Sequence, residues 1–448
     1  MACHTKPKEK EAKIASTAQL ISNVNIIDVK TGVIEKQRYI VIDSGKIKRI
    51  LNSAPNQVKY TTIIDGSGYF VIPGLAEMHA HIPQPPTSKQ RTEDVLFLYL
   101  ANGVTTIRGM LGHPAHLALR ENAKKKHILS PKIYTASPSL NGNSIPTKEV
   151  AIAKVTQYKK EGYDFLKMHP GIKKEVFDAA VQTANKVGIP FAGHVPVAVG
   201  IEHALESKYA SIDHIDGFLE GLVPKSANVN ADDNGFFGYN FSLLADTTKI
   251  DGLVKIAKEN KVWIVPTQSL FERWFAPTDA DVLLAEPEMK YMPKSTLENW
   301  KKTKLRYEKE QHFTKAKWQR FDAVRRQLIK KLQANGYGML LGSDAPQLFN
   351  VPGFSIIHEV KGMRNGGMTA LEILQAGTVN PAQYFGMQDT FGEIKEGMNA
   401  DLVLLTKNPL ENIEHLSHIE GVMLEGKWIS KTEINNKLAM IAQSAAKQ

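Results

Sequence analysis

The sequence predicts an α/β protein: a (β/α)8 TIM barrel with a small β-sandwich domain built from both ends of the chain. Three observations predict it. Between residues 73 and 387, eight short apolar runs of β type alternate with helical patterns, the mark of a parallel sheet, and eight strands close a barrel. Segments of β type separated by turn signals fill residues 18–72 and return within 388–435. Several of the central runs end in a histidine, lysine or aspartate, at the rim where barrel enzymes place their chemistry.

In chain order, residues 1–17 read as a flexible charged tether. Strand patterns follow at 19–29, 39–43, 45–51 and 61–64, the last stopped by Asp65-Gly66. The barrel strands are expected at 75–81, 104–108, 132–136, 165–169, 190–194, 209–214, 262–267 and 338–344. Amphipathic stretches such as 175–187 and 321–333 separate most of them. Two connections, 217–248 and 269–315, are too long for simple strand-to-helix loops. Both are rich in aromatics, among them Phe236, Phe237, Tyr239, Phe271 and Trp274, which predicts a lid over the barrel mouth. The stretch after Pro293, with Trp300 and Trp318, reads alternatively as a contact in a homo-oligomer. Patterns at 401–406 and 421–428 complete the terminal domain, and residues 436–448 read as a tail.

A chain of 448 residues has room for two or three domains and a large core, which excludes a small disulfide-stapled fold. Hydrophobic residues at 42% and charged residues at 23% are the balance of a globular protein, and no apolar run reaches the roughly 20 residues that span a bilayer. The net charge of +10 favours anionic surroundings, yet the excess is spread out, and no nucleic-acid fold or interleaved basic and aromatic motif accompanies it. The single cysteine, Cys3, precedes a charged run to Lys13. This resembles the start of a lipoprotein held at the cell envelope; the other reading is a disordered cytoplasmic N-terminus.

The strongest local signal is His79-Ala80-His81. Residues i and i+2 of a strand point to the same side, so both imidazoles would face the barrel mouth and grip one metal ion. Four further strand ends supply ionisable groups: Lys167, His194, His214 and Asp344. Any one of them alone would read as a buried histidine or a capping aspartate; the set reads as a site.

With these residues in order, together with the Pro73-Gly74 entry to the HxH pair and the closing run from Gly392 to Leu405, the sequence resembles the amidohydrolase superfamily, in its imidazolonepropionase-like and Xaa-Pro dipeptidase-like branch. The resemblance implies a binuclear centre: His79, His81 and Asp344 on one divalent ion, His194 and His214 on the other, and Lys167 bridging them after carbon dioxide has converted it to a carbamate. Zinc suits such nitrogen and oxygen donors, and manganese or cobalt also fits. A single-metal site with Lys167 as an ion-pairing lysine is the alternative. Asp344 would also take the proton of the attacking, metal-bridging hydroxide and pass it to the leaving amine.

Two departures limit the transfer. Glu77 stands where the family carries aspartate, and the loop 135–146 lacks the histidine of dipeptidase-like relatives. Softer candidates for substrate binding are Arg108, Tyr134 and His169, with Asn141 and Asn143 beside them. His358 and Glu359 read as packing residues of a helix after the eighth strand. Aromatics near the rim, Phe236, Phe237, Phe271, Trp274, Phe349 and Phe354, favour a bulky apolar group. The expected activity is hydrolysis of an amide or peptide C–N bond in a small-molecule substrate, a dipeptide or N-acyl amino acid. A lactonase or phosphotriesterase on the same site is the second reading, and a non-enzymatic basic binding protein the third.

Overall fold

The computed structural model describes residues 18–56, 60–310 and 313–448. The tether and Cys3 lie outside the described residues. The first strands are β1 (Gln19–Ile27), β2 (Ile34–Asp43), β3 (Lys46–Leu51), β4 (Thr62–Asp65) and β5 (Phe70–Pro73). Seven short strands follow: β6 (Leu75–Ala80), β7 (Val104–Gly109), β8 (Lys132–Thr135), β9 (Leu166–Met168), β10 (Phe191–Gly193), β11 (Ser211–Asp213) and β12 (Trp263–Val265). The chain closes with β13 (Leu402–Leu405), β14 (Ile419–Leu424) and β15 (Lys427–Ser430).

The strands of the two ends form one mixed sheet, ordered β15-β14-β13-β5-β1-β2-β3 with β4 also on β1. The expected sandwich is thus a single sheet joined from both ends. The reason lies in β1, whose first half pairs in parallel with β4 and whose second half pairs with β5, while the register shifts near Val24. One long strand with an irregularity serves two partners in turn. β5 then takes β13 as its antiparallel neighbour. Its core holds Ile21, Ile26, Ile40, Ile42, Val71, Leu402 and Met423.

The middle of the chain forms two parallel sheets, β6-β7-β8 and β12-β11-β10-β9. Single parallel bridges link them, Ala136 to Phe165 on one side and Ile264 to Met339 and Ala80 to Ala345 on the other. The eighth expected strand is therefore no ladder but an extended segment held by isolated bridges. Asp344 sits at φ 64°, in the left-handed region, which ends an extended run. Gly342 allows the close approach of this segment to β6, since a Cβ there would lie 2.8 Å from the His79 amide nitrogen.

Helices cover these sheets. The helix Lys174–Val187 buries Val176, Phe177, Ala180, Val181 and Ala184, the spacing of one apolar helical face. Residues 217–248 fold into short helical turns, and 269–315 contain the helices Ala280–Leu284 and Lys294–Glu310. Trp300 is buried against Phe349, with ring centroids 5.8 Å apart, so it packs within the chain. Most of the expected tail is helix: Lys431–Ala445 starts at a capping box formed by Ser430 and Glu433.

Candidate metal centre and active site

Four strands and one extended segment bring the expected ligands together. His79 lies in β6 and His81 follows it, Lys167 lies in β9, His194 follows β10, His214 follows β11, and Asp344 closes the eighth segment. All six line one cavity of about 940 Å³. Ligand atoms of His79, His81 and Asp344 lie within 4.8 Å of one another. Oδ1 of Asp344 is 2.5 Å from Nε2 of His81 and 3.3 Å from Nε2 of His79, while its Oδ2 is 4.0 Å from Nδ1 of His214. The rings of His79 and His214 are 4.4 Å apart and those of His194 and His214 are 4.6 Å apart.

Local backbone strain aims these groups. His214, Thr267 and Asp344 all take positive φ, at 67°, 45° and 64°. Each such non-glycine residue costs about 1–3 kcal/mol and persists only where its surroundings hold it. Gly193, at φ 124°, lets Lys167 and His194 approach, because a Cβ there would lie 3.0 Å from Cδ of Lys167.

The partners of the histidines were not legible beforehand. Nδ1 of His79 is 2.9 Å from Oδ2 of Asp213, Nδ1 of His194 is 3.0 Å from Oδ2 of Asp216, and Nδ1 of His214 is 2.9 Å from Oγ1 of Thr267. Nδ1 of His194 and of His214 is hydrogen-bonded to its holder and Nδ1 of His79 lies close to its carboxylate, which leaves Nε2 for the cavity, the arrangement of metal-binding histidines. The run Asp213-His214-Ile215-Asp216 was the available signal. Glu77, the departure noted in the sequence, holds the site together. It is fully buried and its carboxylate accepts from the Ser343 amide at 2.7 Å, the Ser343 hydroxyl at 2.9 Å and the His79 amide at 3.3 Å. It thus ties the strand of His79 to the segment of Asp344.

Burial dominates the electrostatics. It holds His79, His194 and His214 well below the usual histidine range, and the charge of Lys167 adds to this. Neutral imidazoles are the form that binds metal. Burial likewise lowers Lys167, against the opposing pull of Asp213 and Asp344, and so favours the neutral amine. Asp216 is pushed up to about 7 by burial.

The substrate candidates divide. His169 lines the cavity, with Nδ1 3.0 Å from the Ser139 hydroxyl, and Asn141 and Asn143 line it too. Arg108 does not. It is fully buried, donating to Met78 O at 2.6 Å, Ser211 Oγ at 2.9 Å, Tyr384 OH at 2.8 Å and Asp213 Oδ1 at 3.0 Å. A buried guanidinium is kept where its donors are satisfied, and these are satisfied inside the protein. Tyr134 lines a different cavity of about 720 Å³ beside Met387 and Leu424, stacked 3.9 Å from Phe385. Of the rim aromatics, Phe236, Phe237 and Trp274 line the site cavity; Phe271 and Phe349 are buried, and Phe354 stacks on Tyr291. Glu359 caps the helix Gln268–Trp274 by accepting from the amides of Gln268 and Ser269, and His358 pairs with Glu288.

An imidazolonepropionase of Thermoplasma acidophilum is 37% identical over 62 residues, 14% of this chain and 15% of that protein. The sequence matches to curated relatives span less than a third of those proteins' length. Solved structures match over nearly the whole chain. A bottromycin amidohydrolase superposes with a TM-score of 0.70 at 21% identity, covering 96% of this chain and 90% of that one. A Xaa-Pro dipeptidase superposes with a TM-score of 0.65 at 19% identity, covering 92% of this chain and 100% of that one. These likenesses show a TIM-barrel-like α/β fold. The model of the amidohydrolase family matches residues 70–429, and the chain belongs to that family.

Proposed function

We propose that this protein is a metal-dependent hydrolase that opens an amide or peptide C–N bond in a substrate bearing a bulky apolar group, on a closed (β/α)8 barrel. One observation carries the reading: three buried histidines, each with Nδ1 within 3.0 Å of a carboxylate or hydroxyl oxygen, converge with His81, Lys167 and Asp344 in one cavity. The donor set fits two divalent ions, zinc first and manganese or cobalt next. His79, His81 and Asp344 would hold one, His194 and His214 the other, with Lys167 as a carbamate between them. Bound there, such ions lower the pKa of a water and polarise the acyl oxygen.

The chain's own groups do the rest. Asp344 Oδ1 faces both His79 and His81, so its carboxylate is placed to accept the proton of the attacking water and hand it to the departing nitrogen. Phe236, Phe237 and Trp274 receive the apolar group and exclude water. Asn141, Asn143 and His169 supply hydrogen bonds on the other wall. The dipeptide or N-acyl amino acid expected from the sequence keeps its apolar half in this reading. Of the four expected partners for the other side of the scissile bond, Asn141 and Asn143 line the cavity and Arg108 and Tyr134 do not.

The test is kcat/KM, with protein reconstituted with zinc and bicarbonate, over aryl-acyl amides, dipeptides, lactones and a paraoxon-like triester. Amides should lead, and Asp344→Asn should lower kcat by roughly 10²–10⁴ with the fold intact. A lactone or triester leading by about tenfold, 1.4 kcal/mol, would overturn the C–N assignment. A loss below tenfold in Asp344→Asn would place the proton transfer on another group.

A further inference from the structure

The protein carries a net charge of +10, yet its site cavity reverses that sign. Lys167 is the one lysine or arginine among the described residues that line it, and Lys167 belongs to the metal centre. Outside the six expected ligands the ionisable groups that line it, histidine aside, are all acidic: Asp216, which holds His194, and Glu220 and Asp232. Glu220 also lines an adjoining apolar pocket of about 550 Å³. Its Oε1 accepts from the Asn234 amide at 2.8 Å, while its Oε2 is buried with no hydrogen-bond partner. A buried carboxylate oxygen left unpaired costs free energy unless something outside the chain satisfies it. Burial and the nearby Asp216 push this carboxyl up to about 7, as expected of an acid lacking a counter-charge.

The aromatic wall is an independent observation. Phe236, Phe237 and Trp274 line the same cavity, with Phe236 5.5 Å from Trp274 and 4.9 Å from Tyr307. Ring faces attract cations, and several rings beside a carboxylate are the usual means of holding an ammonium group. The indole Nε1 of Trp274 is buried without a partner and offers one donor beside them. Neither wall presents a cation that would attract a substrate carboxylate.

We propose that the cavity beyond the metal centre holds an organic cation, the ammonium-bearing part of the substrate, with Glu220 as its counter-charge and Phe236, Phe237 and Trp274 as its aromatic wall. This deepens the amide-hydrolase reading, rests on the same cavity being the substrate site, and makes the group against the aromatic wall a cationic rather than a neutral apolar one. It stands in place of the substrate contact expected from Arg108.

Titration calorimetry on the metal-loaded protein tests it with choline and its neutral isostere 3,3-dimethylbutan-1-ol, which share a hydroxyl and differ in charge. Choline should bind about tenfold more tightly. Glu220→Gln should remove most of that preference with metal content unchanged. Two amides of one aryl acid, with aminoethyl and propyl amines, should show the same order in kcat/KM. Equal binding of choline and the alcohol overturns the proposal. A preference that survives Glu220→Gln overturns the assignment of Glu220. A retained choline preference with no amide hydrolysed would leave the cation site standing and remove the amide-hydrolase reading instead.

Discussion

Oδ2 of Asp213 lies 2.9 Å from Nδ1 of His79, and the opposite oxygen of the same carboxylate takes the Arg108 guanidinium at 3.0 Å. The carboxylate therefore fixes which ring nitrogen of His79 faces the cavity, and Arg108 fixes the carboxylate. Asp213→Asn keeps the shape and halves the acceptor capacity. Metal affinity, measured by competition with a chromogenic chelator, should fall about 10–100-fold. Unchanged affinity would show that His79 needs no holder.

Arg108 is expected to act on stability rather than on substrate affinity. Arg108→Met leaves Asp213 buried and without its cation, which costs roughly 3–5 kcal/mol. Denaturant unfolding should show that loss, with KM of the surviving folded enzyme changed little. A raised KM at unchanged stability would restore Arg108 as a substrate residue.

Lys167 is buried among Asp213, Asp344 and Asp216. Lys167→Ala should lose one equivalent of metal by elemental analysis together with most activity, and acetate or propionate should partly restore both by supplying the missing carboxylate. Full activity with one ion would establish the single-metal alternative.

Glu77 sets a pH dependence. Burial pushes its carboxyl up from 4.5 to about 8, so the folded chain keeps a proton that the unfolded chain releases. The folded state binds more protons between those values, and its stability therefore falls as pH rises from about 4.5 to about 8 through this group. Glu77→Gln removes this titration while retaining an acceptor for the Ser343 amide. The loss of Tm between pH 5 and pH 8.5 should be smaller in the variant than in the parent, and an equal loss would mean that Glu77 keeps the same charge in both states.

The sequence by itself determined the class of fold and the six residues that meet in the site cavity. Strand periodicity places His79, Lys167, His194 and His214 in or directly after short strands, and parallel strands carry such positions to a common rim. Seven of the eight central strands were legible for the same local reason. The eighth was not a ladder, because the left-handed backbone at Asp344 is imposed by its neighbours and leaves no mark on hydrophobic periodicity. Tertiary structure alone decided the destination of polar side chains near the rim. Arg108 alternates correctly for a strand residue, yet only the burial of Asp213 and Tyr384 around it turns it inward. Glu220 lies in a connection whose path no periodicity predicts, and its unpaired oxygen exists only once residues 234–238 fold against it. Periodicity fixes which face of an element is buried; which charges meet across elements depends on contacts between residues far apart in the chain.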